Sequence, residues 1–360
     1  MSLTNWLELE TIFPKFYWSS RDSSFEVAGV GIMDESDYPK SGYFGFLRFS
    51  DVCEKNSPWK KFGKSRFIKP LKIRLGNKNL IQLTTETNPL FHKNFPCIKE
   101  SAWISNDSWN KKIKFAIDLM EKNHIEKIVL ANKFEIINHF LIKPIKLLKQ
   151  LQIKLPNAYH FLFQLSDDLA FLGASPERLY QRDGKSIYTE ALAGTKPIDV
   201  DAHKFINDKK EIREHEIVIK DILKSMKSIS HANKITNLKE IIKLTHIQHI
   251  RTQLSGILFS ETTDLDILQA LHPTAAICGW PRRAAYFAIK NIETFDRGLY
   301  AGAIGFIAEE KSEFSVSIRS ALVNNNSINI FGGAGIIKTS NAENEWLEIK
   351  NKTKFWKELF

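Results

Sequence analysis

The chain predicts a mixed fold of strands and helices, on three observations. Short runs of alternating apolar residues recur along it, stretches with apolar residues at helical spacing lie between them, and Gly- and Pro-rich turns separate the two. Its 360 residues suffice for one large domain or two of ordinary size. With 43% hydrophobic and 26% charged residues it has the balance of a soluble globular chain with ample material for a core.

Residues 1–104 give the weaker signals. Segments 24–30 and 43–49 alternate as strands around a turn at 37–42, and the basic stretch 60–72 reads as a solvated surface loop. From residue 108 a helix places Trp109, Ile113, Ala116, Ile117 and Met120 on one face. It leads into the apolar strand 127–131, with Lys127 at the strand's mouth, where a lysine usually snorkels to water. Strands at 160–165 and 169–173 follow, and the second runs into Ser175-Pro176-Glu177. A glutamate fixed by a proline just past a buried strand is placed for acid–base work, although an ordinary turn carboxylate looks the same. Strand 186–193 ends at Gly194-Thr195, where a glycine lets backbone amides approach a ligand.

Residues 196–260 read as helical and polar. In 210–226 the apolar stripe of Ile212, Val218, Ile219, Ile222 and Met226 contains Glu211 and has Glu214 at its flank, three residues on. Within 244–254, His246 and His249 share one helical face, and core or surface histidines are the default for both. Loops rich in Gly and Pro at 271–306 suit a ligand-binding rim. Residues 313–323 alternate as one strand, with Phe314, Val316 and Ile318 on one face and Ser315, Ser317 and Arg319 on the other. An arginine on such a face can hold a carboxylate in a fork.

The C-terminal 30 residues open with a glycine loop at 332–335. They continue as a helix read from Ser340 as N-cap, with Glu343 at the capping-box position. Its apolar stripe of Ile349, Phe355, Trp356, Leu359 and Phe360 encloses Glu345, Glu348 and Lys352. Two carboxylates on a buried face repel each other and lose solvation, so they require a cation or several donors nearby. Two such pairs on two helices, without a CxxC or a histidine cluster, point to a hard oxygen-liganded ion, Mg²⁺ before zinc.

Composition excludes several classes. The net charge of +10 comes from scattered lysines without an RNP motif, zinc finger or basic–aromatic stripe, so nucleic acid is not an expected partner. Cys53, Cys97 and Cys278 form neither a disulfide framework nor a zinc site, which suits a reducing, cytoplasmic setting. Neither a signal peptide nor a run of about 18 apolar residues is present, so no membrane span is expected. No long heptad or large apolar patch argues for an obligate oligomer, and a monomer is expected.

Eight stretches, taken together and in order, resemble the chorismate-utilising enzymes: EKIVLA (126–131), GASPERLY (173–180), TEALAGT (189–195), KEIREHEIV (210–218), LHPTAAICGWPR (271–282), FDRGLYAGAIGF (295–306), SIRSALV (317–323) and FGGAGI with NEWLEIKNK (331–336, 344–352). They span residues 105–360. The resemblance implies an α+β fold, with antiparallel sheets packed together in a two-halved core and helices outside. It also implies Mg²⁺-bound chorismate in the cleft, with Glu214 and Glu348 as direct metal ligands and Glu211 and Glu345 beside them.

The resemblance further implies water attack at C2 of chorismate with Lys127 as general base. Glu177 then acts as the acid that protonates the hydroxyl leaving C4, giving isochorismate. Ala193 stands where the aminodeoxychorismate-forming members carry a lysine nucleophile, and Lys127 is typically absent from the ammonia-using members, so no glutamine amidotransferase subunit is expected. A salicylate-forming enzyme, which eliminates pyruvate from the same intermediate, stays open as the alternative. The substrate pocket implied by the motifs comprises Gly194, Thr195, His249, Ala276, Tyr300, Arg319, Gly332, Gly333, Gly335 and Lys352.

Overall fold

The computed structural model describes residues 1–22, 24–50, 57–76, 97–100 and 106–359. Phe360 and Cys53, named above, lie outside these residues. The N-terminal part comprises α1 (Leu3–Leu9), β1 (Lys15–Ser19), β2 (Glu26–Val30), β3 (Asp34–Ser36), β4 (Tyr43–Leu47), β5 (Ser65–Lys69), β6 (Lys72–Gly76) and β7 (Cys97–Glu100). The middle runs through α2 (Asn106–Lys122), β8 (Lys127–Asn138), α3 (Pro144–Lys154), β9 (Tyr159–Gln164), β10 (Leu169–Ser175), β11 (Arg178–Asp183) and β12 (Ser186–Pro197). Next come α4 (Ala202–Ile206), α5 (Lys209–Met226), β13 (Ser230–Lys243), β14 (Ile247–Leu258), α6 (Asp264–Leu271), β15 (Gly279–Trp280) and α7 (Arg282–Ile292). The chain closes with β16 (Ala303–Ile307), β17 (Lys311–Val316), β18 (Ser320–Asn324), β19 (Ser327–Ile336) and α8 (Ala342–Lys357).

The strands form two antiparallel sheets. The first runs β15-β8-β19-β18-β10-β9-β1-β2-β6, with β7 also pairing β8; the second runs β13-β14-β12-β11-β17-β16-β4-β5-β3. The N-terminal strands enter both sheets, since β1 pairs β9 and β4 pairs β16.

The core has two layers because the first sheet is covered on both faces. Phe16, Trp18, Phe161, Phe163 and Phe171 point toward the second sheet, while Tyr17, Leu162, Ala170 and Leu172 point outward under α1, α3 and α8. This is the period-2 alternation of a strand with apolar residues on both faces. Trp356 of α8 and Leu148 of α3 have no exposed surface in the outer layer.

Four local expectations are corrected. Residues 313–323 form two strands in different sheets, β17 and β18, and the chain crosses between them at Ser317–Arg319, where Arg319 adopts φ +53°. Residues 230–258 are the strands β13 and β14 rather than helix, so His246 and His249 do not share a helical face. The N-cap of α8 is Asn341, whose side chain accepts from the amides of Glu343 and Asn344; the Ser340 hydroxyl instead accepts from the Ile337 amide. The basic stretch 60–72 contains β5 and buries Phe62, Phe67 and Ile68, because its lysines alternate with apolar residues that reach the core.

Candidate active site

The site lies where β8 and β19 of the first sheet face β12 and β14 of the second, with α5 packed on β12 and α8 on β19. Lys127 opens β8 and pairs in register with Trp280, while Gly335 of β19 pairs with Val129. The lysine is fully buried and lies 3.0 Å from Glu214 Oε1, close enough for an ion pair although its angles do not make a hydrogen bond. The snorkelling alternative for Lys127 is thereby excluded. Gly335 makes this approach possible: a Cβ there would collide with the Glu214 carboxylate and the Lys127 side chain.

Glu177 follows β10 and is 3% exposed. Burial and the nearby Glu190 push its carboxyl up to about 8, against the opposing pull of Lys127 and Lys352. It is therefore a neutral proton donor at pH 7. Glu190, within TEALAGT, is itself held by Arg21 in a two-pronged hydrogen bond at 2.7 and 2.9 Å.

Glu177 lines one cavity together with Gly194, Thr195, Glu214, His249, Ala276, Tyr300, Arg319, Gly332, Gly333, Gly335 and Lys352. The residues expected to hold the substrate are thus brought together. Gly194, at φ +79°, forms the bulge in β12 that turns Thr195 toward α5. Arg319 Nη1 donates to the Lys352 carbonyl at 2.8 Å, and Nη2 lies 3.3 Å from His249 Nε2. That contact assigns the histidine proton to Nδ1, which donates to the Gly194 carbonyl at 3.1 Å. Burial, reinforced by Arg319, holds His249 well below its usual titration range, so the ring is neutral. Burial also pulls Arg319 down to about 10, which leaves it charged at neutrality. His246 lies outside this cavity and pairs with Glu358 at 3.1 Å.

Glu211, Glu345 and Glu348 line an adjoining cleft of about 330 Å³ that shares Thr195 with the inner cavity. Each carboxylate meets a lysine. Glu214 pairs with Lys127, Glu348 with Lys352 at 2.6 Å, and Glu211 with Lys196 at 3.1 Å while also accepting from the Thr195 amide. Lys210 stands among three of them, 3.1 Å from Glu345, 3.5 Å from Glu211 and 3.6 Å from Glu214. Burial raises Glu211 and Glu345; it would raise Glu214 too, but Lys127 and Lys210 outweigh it and hold that group down. Lys210, Lys196 and the Arg21–Glu190 pair were not singled out from the sequence. Lys210 had a signal in its spacing, four residues before Glu214 on the same helical face.

The donor set fits magnesium. Four carboxylates from α5 and α8 supply hard oxygen ligands, and the Lys210 ammonium marks where three of them, Glu211, Glu214 and Glu345, already hold a cation. Glu211, Glu214, Glu345 and Glu348 are the residues that would hold it. Among the described residues, no three His, Cys, Asp or Glu side chains are already drawn together at metal-binding geometry.

A family model described as chorismate binding enzyme matches residues 71–358. The chain belongs to the chorismate binding enzymes. Its relatives in that family include the isochorismate synthase of Haemophilus influenzae, 30% identical over 380 residues, which span 98% of this chain and 87% of the relative. The chloroplastic isochorismate synthase 2 of Arabidopsis thaliana is 38% identical over 267 residues, or 71% of this chain and 47% of that protein. Among solved chorismate binding enzymes, the menaquinone-specific isochorismate synthase of Escherichia coli superposes with a TM-score of 0.85 at 26% identity, covering 100% of this chain and 91% of that one. Anthranilate synthase component I of Streptococcus pneumoniae, at 21% identity and a TM-score of 0.74, shares the fold. The α+β architecture of paired antiparallel sheets is that of the family.

Proposed function

We propose that the chain isomerises chorismate to isochorismate, with magnesium held by the carboxylates of α5 and α8. The observation that carries this reading is a neutral glutamic acid, Glu177, lining the inner cavity beside Glu214, with the buried Lys127 directly behind Glu214 and within electrostatic reach of Glu177. Lys127 first gives up its ammonium proton to solvent and, as the free amine, takes the proton of a water attacking C2, while Glu177 gives its proton to the hydroxyl leaving C4. One water enters and one departs, so substrate and product are isomers. Lysine and glutamate are reset by exchanging the proton with solvent.

Arg319 and Lys352 face the substrate carboxylates, and the neutral His249 fixes the plane of the guanidinium. The inner cavity alone offers about 60 Å³, so a ring bearing two carboxylates also extends into the adjoining cleft, toward Glu211, Glu345 and Glu348. Bound there, magnesium would neutralise a substrate carboxylate and orient the ring. Ala193 on the wall supplies no nucleophile, so attack comes from solvent.

The test is chromatography of products after incubation with chorismate and Mg²⁺, with and without ammonium. Isochorismate in equilibrium with chorismate supports the reading. Salicylate with pyruvate would move the protein to a salicylate-forming enzyme, and anthranilate formed only with ammonium would overturn the role of Lys127.

A further inference from the structure

We propose that Lys210 is a built-in competitor for the metal position: its ammonium fills the space between Glu211, Glu214 and Glu345, and a divalent cation binds by displacing it. The inference rests on the magnesium reading above and adds that a residue of the chain itself sets the metal affinity.

The geometry makes the two occupants exclusive. Magnesium takes oxygen ligands at about 2.0–2.1 Å, in near-octahedral order. Here the nearest carboxylate oxygens of Glu345, Glu211 and Glu214 stand 3.1, 3.5 and 3.6 Å from the Lys210 nitrogen, the spacing of an ammonium ion pair. The oxygens must therefore close in by roughly 1 Å or more for a metal to sit among them, and the ammonium then has no room. This spacing also explains why no three acidic groups among the described residues are gathered tightly enough for a metal.

Lys210 is singular among the lysines here. Lys127 and Lys352 each pair with one glutamate of the cluster, and Lys196 with Glu211 and with Asp208 outside it. Lys210 alone bridges the two helices, reaching two glutamates on α5 and one on α8. Among the described residues, Glu345 has no other ion-pair partner. Removing the ammonium without supplying a cation therefore leaves a buried carboxylate unpaired.

The side chain has somewhere to go. It forms the wall between the carboxylate cleft and a second, open cleft of about 590 Å³ bounded by Glu126, Arg213, Lys338 and Thr339. Its 22% exposure shows that it already borders solvent. A rotation about the side-chain bonds would move the ammonium outward without backbone movement. In that outer cleft it meets Arg213, Lys209 and Lys338, and the one carboxylate there, Glu126, is already paired with Arg213 and Lys220, so the inward position is favoured until a divalent cation displaces it.

The test is calorimetric titration of Mg²⁺, without substrate, into the wild type, Lys210→Met and Lys210→Arg. With the competitor gone, Lys210→Met should bind Mg²⁺ at least about tenfold more tightly, a change of about 1.4 kcal/mol. Lys210→Arg keeps a cation in place and should bind no more tightly than wild type. In EDTA, Lys210→Met should melt below wild type, and saturating Mg²⁺ should close the gap. Equal dissociation constants for all three proteins, or weaker binding by Lys210→Met, would overturn the inference and leave the magnesium reading intact. Absence of binding heat in all three would overturn both.

Discussion

Replacing Glu177 with glutamine separates its two roles, and the structure gives a magnitude for each. The folded carboxyl titrates near 8 and the unfolded one near 4.5. Below pH 4.5 both states are protonated, and the stabilising contribution of the retained proton is fully present. Between 4.5 and 8 the unfolded chain releases its proton while the folded one keeps it, so stability falls as pH rises, and above 8 the loss is complete. At about 1.4 kcal/mol per unit, the 3.5-unit interval amounts to at most roughly 5 kcal/mol. Spread over 360 residues with an unfolding entropy of about 2.1 cal/mol/K each, that is a shift of roughly 6 °C.

Glutamine has no such proton to lose. The melting temperature of Glu177→Gln, measured against wild type by calorimetry from pH 5 to pH 9, should therefore rise progressively relative to wild type. Turnover should fall by about 10²–10⁴-fold, the usual worth of a positioned acid. The wild-type kcat should decline above pH 8 as the acid ionises. A melting difference that stays flat across this range would refute the raised titration of Glu177, and near-native turnover by the variant would refute its role as acid.

Three further outcomes are expected. Lys127→Ala should lose about 10²–10⁴-fold in kcat, since water loses its base, and a rate near wild type in a steady-state assay would remove Lys127 from the mechanism. Gly335→Ala should fold but lose most activity, because its methyl group occupies the space of the Glu214 carboxylate and Lys127; unchanged kcat and Mg²⁺ dependence would show that the close approach is not needed. Glu348→Gln should raise the Mg²⁺ concentration for half-maximal rate, and an identical magnesium titration would count against the α8 carboxylates as ligands.

The sequence showed the carboxylate pairs clearly because a helix has a fixed period: Glu211 and Glu345 sit inside apolar stripes, and both are buried. Glu177 was legible from the proline that fixes it past a buried strand. The burial of Lys127 was not legible from its own segment, because it depends on β15 and α5, which come from more than 80 residues downstream. Strand β14 misled for a physical reason. Its buried Ile247, Ile250 and Leu254 recur at the spacing of a helical stripe, whereas the strand is covered on both faces and needs no strict alternation. Its partner β13, an edge strand largely exposed on both faces, shows no apolar period at all. The break at Arg319 was hidden because the alternation of β17 runs in phase through Ile318, although the chain has already left the sheet. That break, with its left-handed arginine, turns the guanidinium toward His249 rather than along a strand face.

The most direct test of solvent attack under Lys127 and departure under Glu177 is to run the conversion in ¹⁸O-enriched water with Mg²⁺ and analyse early product by mass spectrometry. The mechanism predicts one ¹⁸O atom in isochorismate, located in its C2 hydroxyl. Unlabelled isochorismate would mean that the original C4 oxygen had migrated within the substrate, and would contradict the assignment of Lys127 as the base that activates water.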